Sequence, residues 1–571
     1  MRTKYVFISG GVISGIGKGT ITASIALILQ HLGFKITPVK CENYLNIDAG
    51  TINPIEHGDP FLCEDGTEAD MDLGTYEKFL DIDVGKNNFI TMGQIYQTVI
   101  NRERRFEYNG EDVEAIPHIT DEIQRRISEA GRNAKAEIVV VELGGTAGEY
   151  QNVFYYEASR ILSFKNPGNV IHIHVGYMPT PHHLGEPKTK PIQLSVKTLN
   201  SMGIHPDFII ARSEKPMDLR RKNRFALFCN VHPEDIFSAP DTDLIYELPL
   251  ILKKQGIQKR LLSRLGLSKK KEDFSEWEQF IRKVKKVEQA KKTINIAIVG
   301  KYFATGEYQL RDSYAALLDA LQHAAWFHNL KLNTLWIEAE KVEKDGIEKY
   351  TTEIDGMIVP IGWGERGVEG MIASAGYALE QKIPYLGLCY GMQLAVVSFA
   401  RKKIGWKDAN TTEKNPKTKY PVIHLNPVQK ENVKRRAYGG TMRLGAWNAT
   451  VKRGTIAWYL YQKYNGFLNK ATGLTSERHR HRYEFNNSYL NDFEKNGLIV
   501  SAKSTLENLV EIVELPRKVH PFYFGTQGHP EYKSRPLKPH PIFLEFIEAC
   551  LRNSNVKAQM SNQVQSSKFK F

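Results

Sequence analysis

A lone cysteine, Cys389, lies in the stretch IPYLGLCYGMQLAVVSF, residues 383–399, between a short apolar run and an amphipathic one. Residues 383–388 read as a short buried strand, and residues 392–399 as a helix face offering Leu394, Val397 and Phe399 to a core. A thiol at such a strand-to-helix turn lies near the positive end of the helix dipole, where it loses its proton more readily. These residues fit a nucleophile and equally a packed cysteine, since free Cys behaves as a small hydrophobe. A second reactive stretch, SGGVISGIGKGTIT, follows the first apolar strand. Glycines 10, 11, 15, 17 and 19 allow backbone N–H groups to approach an anion, Lys18 adds a charge, and the next helix presents its N-terminus. The strict phosphate-loop pattern requires Gly at 12 and Ser or Thr at 19, where this chain has Val12 and Gly19.

Two acids are placed to hold the metal that accompanies a nucleoside triphosphate. Glu142 ends the strand IVVVE, at the carboxyl edge where open α/β sheets bind ligands, and Asp72 lies in the acid-rich EADMDLGTYE. Mg²⁺ needs only one or two carboxylates beside phosphate oxygens. In EPKTKPIQ, Lys188 and Lys190 stand between Pro187 and Pro191, which stiffen the loop. If extended, it puts both lysines on one side, fit for a second triphosphate or simply for solvent.

The elements that must position these groups alternate. KYVFISGG, a helix through TITASIALILQHLG and then KITPVKCE are followed by AEIVVVELGG and NVIHIHVGY, all rich in branched residues. This favours a mostly parallel sheet covered by helices on both faces. The alternation restarts with INIAIVGKY, LNTLWIE, IDGMIVPIGWG and IPYLGLCYG, so a second α/β domain begins near Ile294. The expected division is residues 1–266, a linker helix at 267–293, a second domain at 294–553 and a polar, disordered tail at 554–571. No internal repeat is visible.

At 571 residues the chain exceeds what one core supports. No apolar run approaches the ~20 residues that span a bilayer. The opening MRTKYVFISGG enters a strand and a glycine turn, which is not the pattern of a secretory signal. The five cysteines, at 41, 63, 229, 389 and 550, form no CxxC pair, which argues against a disulfide framework or zinc site and for a reducing, cytoplasmic setting. Of the net charge of +13, residues 253–292 supply +9, with 14 Lys or Arg against 5 Asp or Glu. Phe274, Trp277, Ile281, Val284 and Val287 recur there at helical spacing, so the segment reads as a solvated linker helix with one packing face, a polyanion-binding strip being the lesser reading. The positive charge is local and lacks interleaved aromatics for base stacking, which argues against nucleic acid.

Taken in order, the phosphate loop, the KTKP loop, the basic linker and the cysteine turn resemble the CTP synthase family. The likeness runs from Lys4 to about Cys550 through GGVISGIGKG, DMDLG, IPHIT, VELGGTAG, KTKP, ALFCNV, GGTMRLG, RHRHRYE and HPE. It implies two doubly wound domains, an N-terminal phosphate-loop-like amidoligase and a C-terminal class I glutamine amidotransferase. The resemblance makes Cys389 the nucleophile that attacks the glutamine side-chain amide, with His529 as base and acid and Glu531 orienting the imidazole. Backbone N–H groups of Gly362 and Tyr390 would hold the oxyanion, each donor worth roughly 3 kcal/mol. It gives Gln393, Glu413 and Arg480 the role of holding glutamine, with Gly362 and Tyr390.

In the first domain the resemblance implies phosphorylation of UTP O4 by ATP, followed by displacement of phosphate by ammonia at C4. It assigns ATP to Gly15, Ile16, Gly17, Lys18, Gly19, Thr20, Lys40, Asp72 and Asp241, with Mg²⁺ held by Asp72 and Glu142. It assigns UTP and the product CTP to Ser14, Glu149, Lys188, Thr189, Lys190, Gln193 and Arg224, and the ammonia passage to Pro54, His57 and Pro60. It further implies GTP as an allosteric activator, CTP as product and inhibitor, and a homotetramer that can stack into filaments.

The chain departs from the family's pattern at several positions. PIGWG stands for PGGFG, bringing Ile361 and Trp363; Tyr390 stands for Leu and Gly528 for Phe. Arg224 replaces Lys, Glu42 replaces Asp, Glu114 replaces Gln and Pro60 replaces Val, while Glu149, Tyr150 and Gln151 stand where the family has Asp-Ile-Glu. These departures motivate a second reading, a family-derived scaffold or regulatory subunit of weak activity. The expected catalytic groups are nonetheless all present.

Overall fold

The computed structural model describes residues 2–53, 58–301, 304–305, 308–309 and 314–568, with only the backbone course given for 304–305, 308–309 and 556–568. The chain divides into two compact units, one of residues 1–49 and 72–281, the other of residues 50–71 and 282–571. Residues 50–71 thus belong to the second unit although both flanks belong to the first, a division the alternation of elements did not reveal.

The first unit is built on a seven-stranded parallel sheet. Its strands are β1 (Lys4–Gly11), β2 (Ile36–Glu42), β3 (Phe89–Thr91), β4 (Ile138–Leu143), β5 (Val170–Tyr177), β6 (Phe208–Ser213) and β7 (Ile236–Pro240), in the order β3-β2-β4-β1-β5-β6-β7. Strands this rich in Val and Ile bury both faces, as a sheet covered by helices requires. Tyr5, Phe7, Val139 and Val141 share one core with Ile123 and Ile127. Register places Glu142 opposite both Ile8 and Lys40, so the carboxyl ends of the three central strands converge. There β1 runs into α1 (Lys18–His31), and α2 (Met71–Leu80) brings Asp72 in its first turn.

The second unit has a nine-stranded sheet of β8 (Thr293–Gly300), β9 (Lys331–Glu338), β10 (Gly356–Val359), β11 (Tyr385–Leu388), β12 (Arg443–Val451), β13 (Leu474–His481), β14 (Ile499–Ser504), β15 (Val510–Glu514) and β16 (Tyr523–Thr526). The order is β9-β8-β10-β11-β16-β15-β14-β12-β13, the first five parallel and the remainder antiparallel. Alternate residues of β8 and β10 enter two cores, Ala297, Val299 and Met357 on one face and Ile296, Ile298 and Ile358 on the other.

The basic segment forms a helix over Ser275–Glu288, shorter than the span 267–293, and its five spaced apolar residues are buried. It is therefore a packed element with a solvated face: Trp277 Nε1 donates to Tyr246 O at 2.9 Å and its ring lies 5.7 Å from Phe79. At the other chain end the helix Pro541–Lys568 continues through the segment expected to be disordered. Residues 554–568 are polar but contain neither Gly nor Pro, so nothing in them stops a helix already begun.

Candidate active site

Cys389 sits between β11 and α3 (Tyr390–Phe399), with φ 51° and ψ −99°, a conformation a side chain other than glycine adopts only under constraint. The constraint is visible on both sides. The Cys389 N–H donates to Thr526 O at 2.7 Å, and a Cβ on Gly391 would lie 1.8 Å from Val359 O. A Cβ on Gly387 would lie 2.7 Å from the Gly391 carbonyl. The glycines flanking the cysteine are required because the turn is pressed against its neighbours, and the thiol is thrust out at the helix N-terminus.

His529 follows β16, where Nδ1 lies 2.7 Å from Glu531 Oε1. The imidazole stacks on Tyr532 with centroids 5.4 Å apart. Burial alone would lower its pKa, but the Glu531 carboxylate and the Cys389 thiolate outweigh it and hold the ring up to about 10. Nε2, the nitrogen not engaged by Glu531, is buried without a hydrogen-bond partner among the described residues. An orphaned buried ring nitrogen beside a thiol is the arrangement a proton transfer needs. Gln527 Nε2 donates to the sulfur at 3.5 Å, and Gln393 Nε2 donates to Gln527 Oε1 at 3.2 Å and to Tyr483 O at 2.7 Å. Gly528 has room for nothing larger: a Cβ would lie 2.7 Å from Glu477 Cβ.

The loop expected to supply the oxyanion donor is held at four points. Tyr314 OH donates to Ile361 O at 3.2 Å, and Lys301 Nζ donates to Trp363 O at 3.2 Å and to Gly364 O at 2.6 Å. The Gly364 N–H donates to Glu413 Oε1 at 2.9 Å. Burial pushes the Lys301 ammonium down to about 8, with Glu413 opposing. Lys301 was not singled out in the sequence, although it ends the apolar strand IAIVGK as Glu142 ends IVVVE. The same edge-of-sheet signal would have found it.

Arg478, Arg480 and Arg482 alternate along RHRHRYE, and residues 50–71 engage two of them. Arg480 Nε donates to Glu68 Oε1 at 2.6 Å and Nη1 to Asp59 Oδ1 at 3.4 Å, and its guanidinium lies 5.5 Å from the Trp363 ring centroid. Its carbonyl accepts from the Cys389 thiol at 3.9 Å, so Arg480 reaches the nucleophile through its main chain. Arg478 pairs with Glu64 at 2.9 Å and donates to Leu62 O at 2.9 Å. Arg482, missed in the sequence, has no carboxylate partner among the described residues. It donates to Gln429 Oε1 at 2.6 Å and Tyr438 O at 2.7 Å. Tyr483 feels the charges of both Glu413 and Arg482. Pro60 O and Asp59 Oδ2 accept from Tyr532 OH at 3.2 and 2.8 Å, while Pro54 and His57 lie outside the described residues.

In the first unit, Lys40 Nζ lies among Asp72, Glu142 at 2.8 Å and Glu42 at 3.1 Å. Three carboxylates around one ammonium leave a surplus of negative charge, and burial and Asp72 push the Glu142 carboxyl up while Lys40 and Lys18 oppose. Oxygens of Glu42 and Asp72 lie within 4.8 Å of one another. An all-oxygen, net-negative donor set fits a hard divalent cation. The two irregular loop positions have physical reasons. Val12 takes φ 83°, so the backbone adopts the turn that glycine usually supplies. A Cβ on Gly19 would lie 1.9 Å from Asp72 Oδ1, so the residue that opens the helix must be glycine where Asp72 abuts it. Lys18 Nζ donates to Gly145 O at 2.6 Å, and burial, with Lys40, lowers its pKa. Asp241 reaches the loop through Arg212, which binds Asp241 Oδ1 at 2.8 Å and Ile16 O at 3.1 Å.

Lys188, Thr189, Lys190 and Arg224 line one cavity of about 180 Å³ together with Arg220 and Arg221, which the sequence reading passed over. Gln193 joins through Thr189, its Nε2 donating to Oγ1 at 3.1 Å. Glu149 is engaged elsewhere, accepting from Thr146 N at 2.9 Å and Asn43 Nδ2 at 3.1 Å, and Ser14 lies exposed on the glycine loop.

Comparison with known proteins covers almost the whole chain. Residues 4–267 match the family model described as the CTP synthase N-terminus, and residues 309–549 match that of class I glutamine amidotransferases. A CTP synthase of Pyrococcus abyssi is 46% identical over 549 residues, 96% of this chain and 98% of the relative. One of Sulfolobus acidocaldarius is 45% identical over 547 residues, 95% and 99%, and one of Carboxydothermus hydrogenoformans is 44% identical over 557, 97% and 100%.

Proposed function

This chain belongs to the CTP synthase family, glutamine-hydrolysing ligases of pyrimidine nucleotide biosynthesis that make CTP from UTP with ATP, and on that premise we propose how its own residues divide the work. In the glutaminase half, the Cys389 thiolate attacks the side-chain amide carbon of glutamine, and the N–H groups of Gly362 and Tyr390 receive the developing oxyanion. His529, charged through Glu531, delivers a proton to the departing ammonia and then draws one from the water that releases glutamate. Glu413 attracts the α-ammonium of the substrate. Arg482, unpaired with any described carboxylate, is better placed for the α-carboxylate than Arg480, which Glu68 and Asp59 already neutralise.

In the synthetase half, ATP phosphorylates O4 of UTP, turning that oxygen into a leaving group, and ammonia displaces phosphate at C4. Lys18 and Lys40 neutralise charge on the transferring phosphoryl group. Asp72 and Glu142 would hold Mg²⁺, which supplies charge neutralisation at the phosphates. The basic cavity of Lys188, Lys190, Arg220, Arg221 and Arg224 takes the triphosphate of UTP or CTP. The ammonia passage is assigned to Pro60, and to Pro54 and His57, which lie outside the described residues. GTP as activator, CTP as inhibitor, a cytoplasmic location and a homotetramer capable of stacking complete the reading. Exposed Leu219, Leu227 and Phe228 support association.

The observation that carries this reading is the left-handed Cys389 turn beside the His529–Glu531 pair, in a chain that also holds the Lys18–Lys40–Asp72–Glu142 cluster. CTP formation from UTP, Mg·ATP and ammonium, repeated with glutamine and GTP in place of ammonium, tests it. CTP in both assays is the expected result. CTP from ammonium alone would place a defect in the glutaminase half. None in either, from folded protein, would replace the reading with that of a scaffold.

A further inference from the structure

The Tyr390 side chain is 3% exposed, and its hydroxyl donates to Gly364 O at 3.3 Å. The residue thus meets the loop Ile361–Gly364 through a side chain that holds the loop's far end, while the reading above gives its main-chain N–H to the oxyanion. The ring also walls the glycine whose N–H is the other donor: a Cβ on Gly362 would lie 3.3 Å from Tyr390 Cδ1. Lys301 completes the arrangement, with Nζ 2.6 Å from the same Gly364 oxygen and 4.8 Å from the centre of the tyrosine ring. A leucine at 390 would fill space but could reach no carbonyl.

We propose that the Tyr390 side chain is a positioning residue for glutamine hydrolysis, its hydroxyl tethering Gly364 so that the Gly362 and Tyr390 N–H groups stay aimed at one point. The proposal rests on the glutaminase reading above and adds to it a role for a side chain. A tether of this kind acts on the tetrahedral oxygen and leaves the grip on ground-state glutamine to Glu413 and Arg482. Its loss therefore lowers kcat and spares KM.

The test is steady-state glutamate release by the full chain carrying Tyr390→Phe, with thermal melting to verify folding. The γ-aldehyde analogue of glutamine serves as a second probe: the thiolate adds to its carbonyl carbon, and the new oxyanion occupies the same hole. One neutral hydrogen bond corresponds to about fivefold and a lost oxyanion donor to about 10²–10³-fold, so a fall of about 5- to 20-fold in kcat is expected. KM should stay within about twofold, and affinity for the aldehyde should fall by the same factor as kcat/KM.

An unchanged kcat in folded Tyr390→Phe, or a rise in KM alone, overturns the proposal. If that variant does not fold, Tyr390→Leu is read the same way, a loss in kcat supporting the tether and a wild-type value overturning it. Failure of the underlying reading looks different. The unaltered chain would then release no glutamate, or Cys389→Ala would continue to release it, and the proposal would fall with the reading.

Discussion

Replacing Glu531 by glutamine keeps an oxygen within reach of His529 Nδ1 and removes only the charge. The present distance is 2.7 Å, and the pair holds the imidazole at about 10 against a burial that would lower it. Other buried histidines show what burial does without a carboxylate: His172, His174 and His520 are all pushed down to about 4. At pH 7.5 the raised pKa keeps the ring charged, whereas without the carboxylate burial favours the neutral ring. Some of the lift comes from the Cys389 thiolate itself, which a neutral ring no longer stabilises, so the loss compounds. We expect kcat/KM for glutamine to fall by about 10⁴-fold, the cost of losing the orienting carboxylate in a serine protease triad. Iodoacetamide reads the cause directly. At pH 7.5 Cys389 should alkylate more slowly in Glu531→Gln than in the unaltered chain, because a neutral ring no longer stabilises the attacking thiolate. Burial pushes the Cys41 and Cys229 thiols up, away from reactivity. The linked stability has a definite sign. A raised histidine pKa contributes stability that is full below about 6.5 and is lost as pH rises through about 10, and the variant should lack that window. An unchanged alkylation rate together with retained glutamate release in Glu531→Gln would refute the reasoning.

Cys389→Ala should abolish glutamine-driven CTP formation and leave the ammonium-driven reaction intact; loss of both in folded protein would refute two separate sites. Glu142→Gln, by contrast, should lower CTP formation from either nitrogen source by at least about 10²-fold, measured with ATP, UTP and Mg²⁺ in excess. Lys301, at about 8, should give glutamine hydrolysis an alkaline limb near that pH, because the neutral amine holds the Trp363 and Gly364 carbonyls less strongly. Its folded state sheds a proton before the unfolded state does, so this group's contribution to stability rises between about 8 and 10.5, and Lys301→Met should lose both the limb and that slope. Arg478→Ala should destabilise the protein by about 3 kcal/mol, seen as a lower melting temperature, because Glu64 and the Leu62 carbonyl lose their buried donor.

The reactive turns were legible in the sequence because their chemistry is local. Cys389 between a strand and a helix, Lys18 after a glycine run and Glu142 at a strand end are each fixed by a few neighbouring residues. What escaped depends on contacts between distant parts of the chain. Val12 and Gly19 break the phosphate-loop pattern on paper, yet the backbone keeps the turn and Asp72, far away in sequence, explains the glycine. Arg480 and Arg482 are equivalent by spacing and are told apart only by Glu68 and Asp59. The likeness to known proteins identified both domains but could not assign residues 50–71 to the second unit, since nothing in TINPIEHGDPFLCEDGTEADM announces it.

That assignment bears on how such a chain can be taken apart. Glu64, Glu68 and Asp59 supply the counter-charges for Arg478 and Arg480, two nearly inaccessible side chains on the strand that passes the nucleophile. A C-terminal piece cut anywhere after the basic helix would carry every residue of the glutaminase machinery and still leave both cations without these partners, the situation a folded interior tolerates least. The second compact unit is therefore discontinuous along the chain. Moving it with those ion pairs intact would require carrying two separated lengths of sequence together.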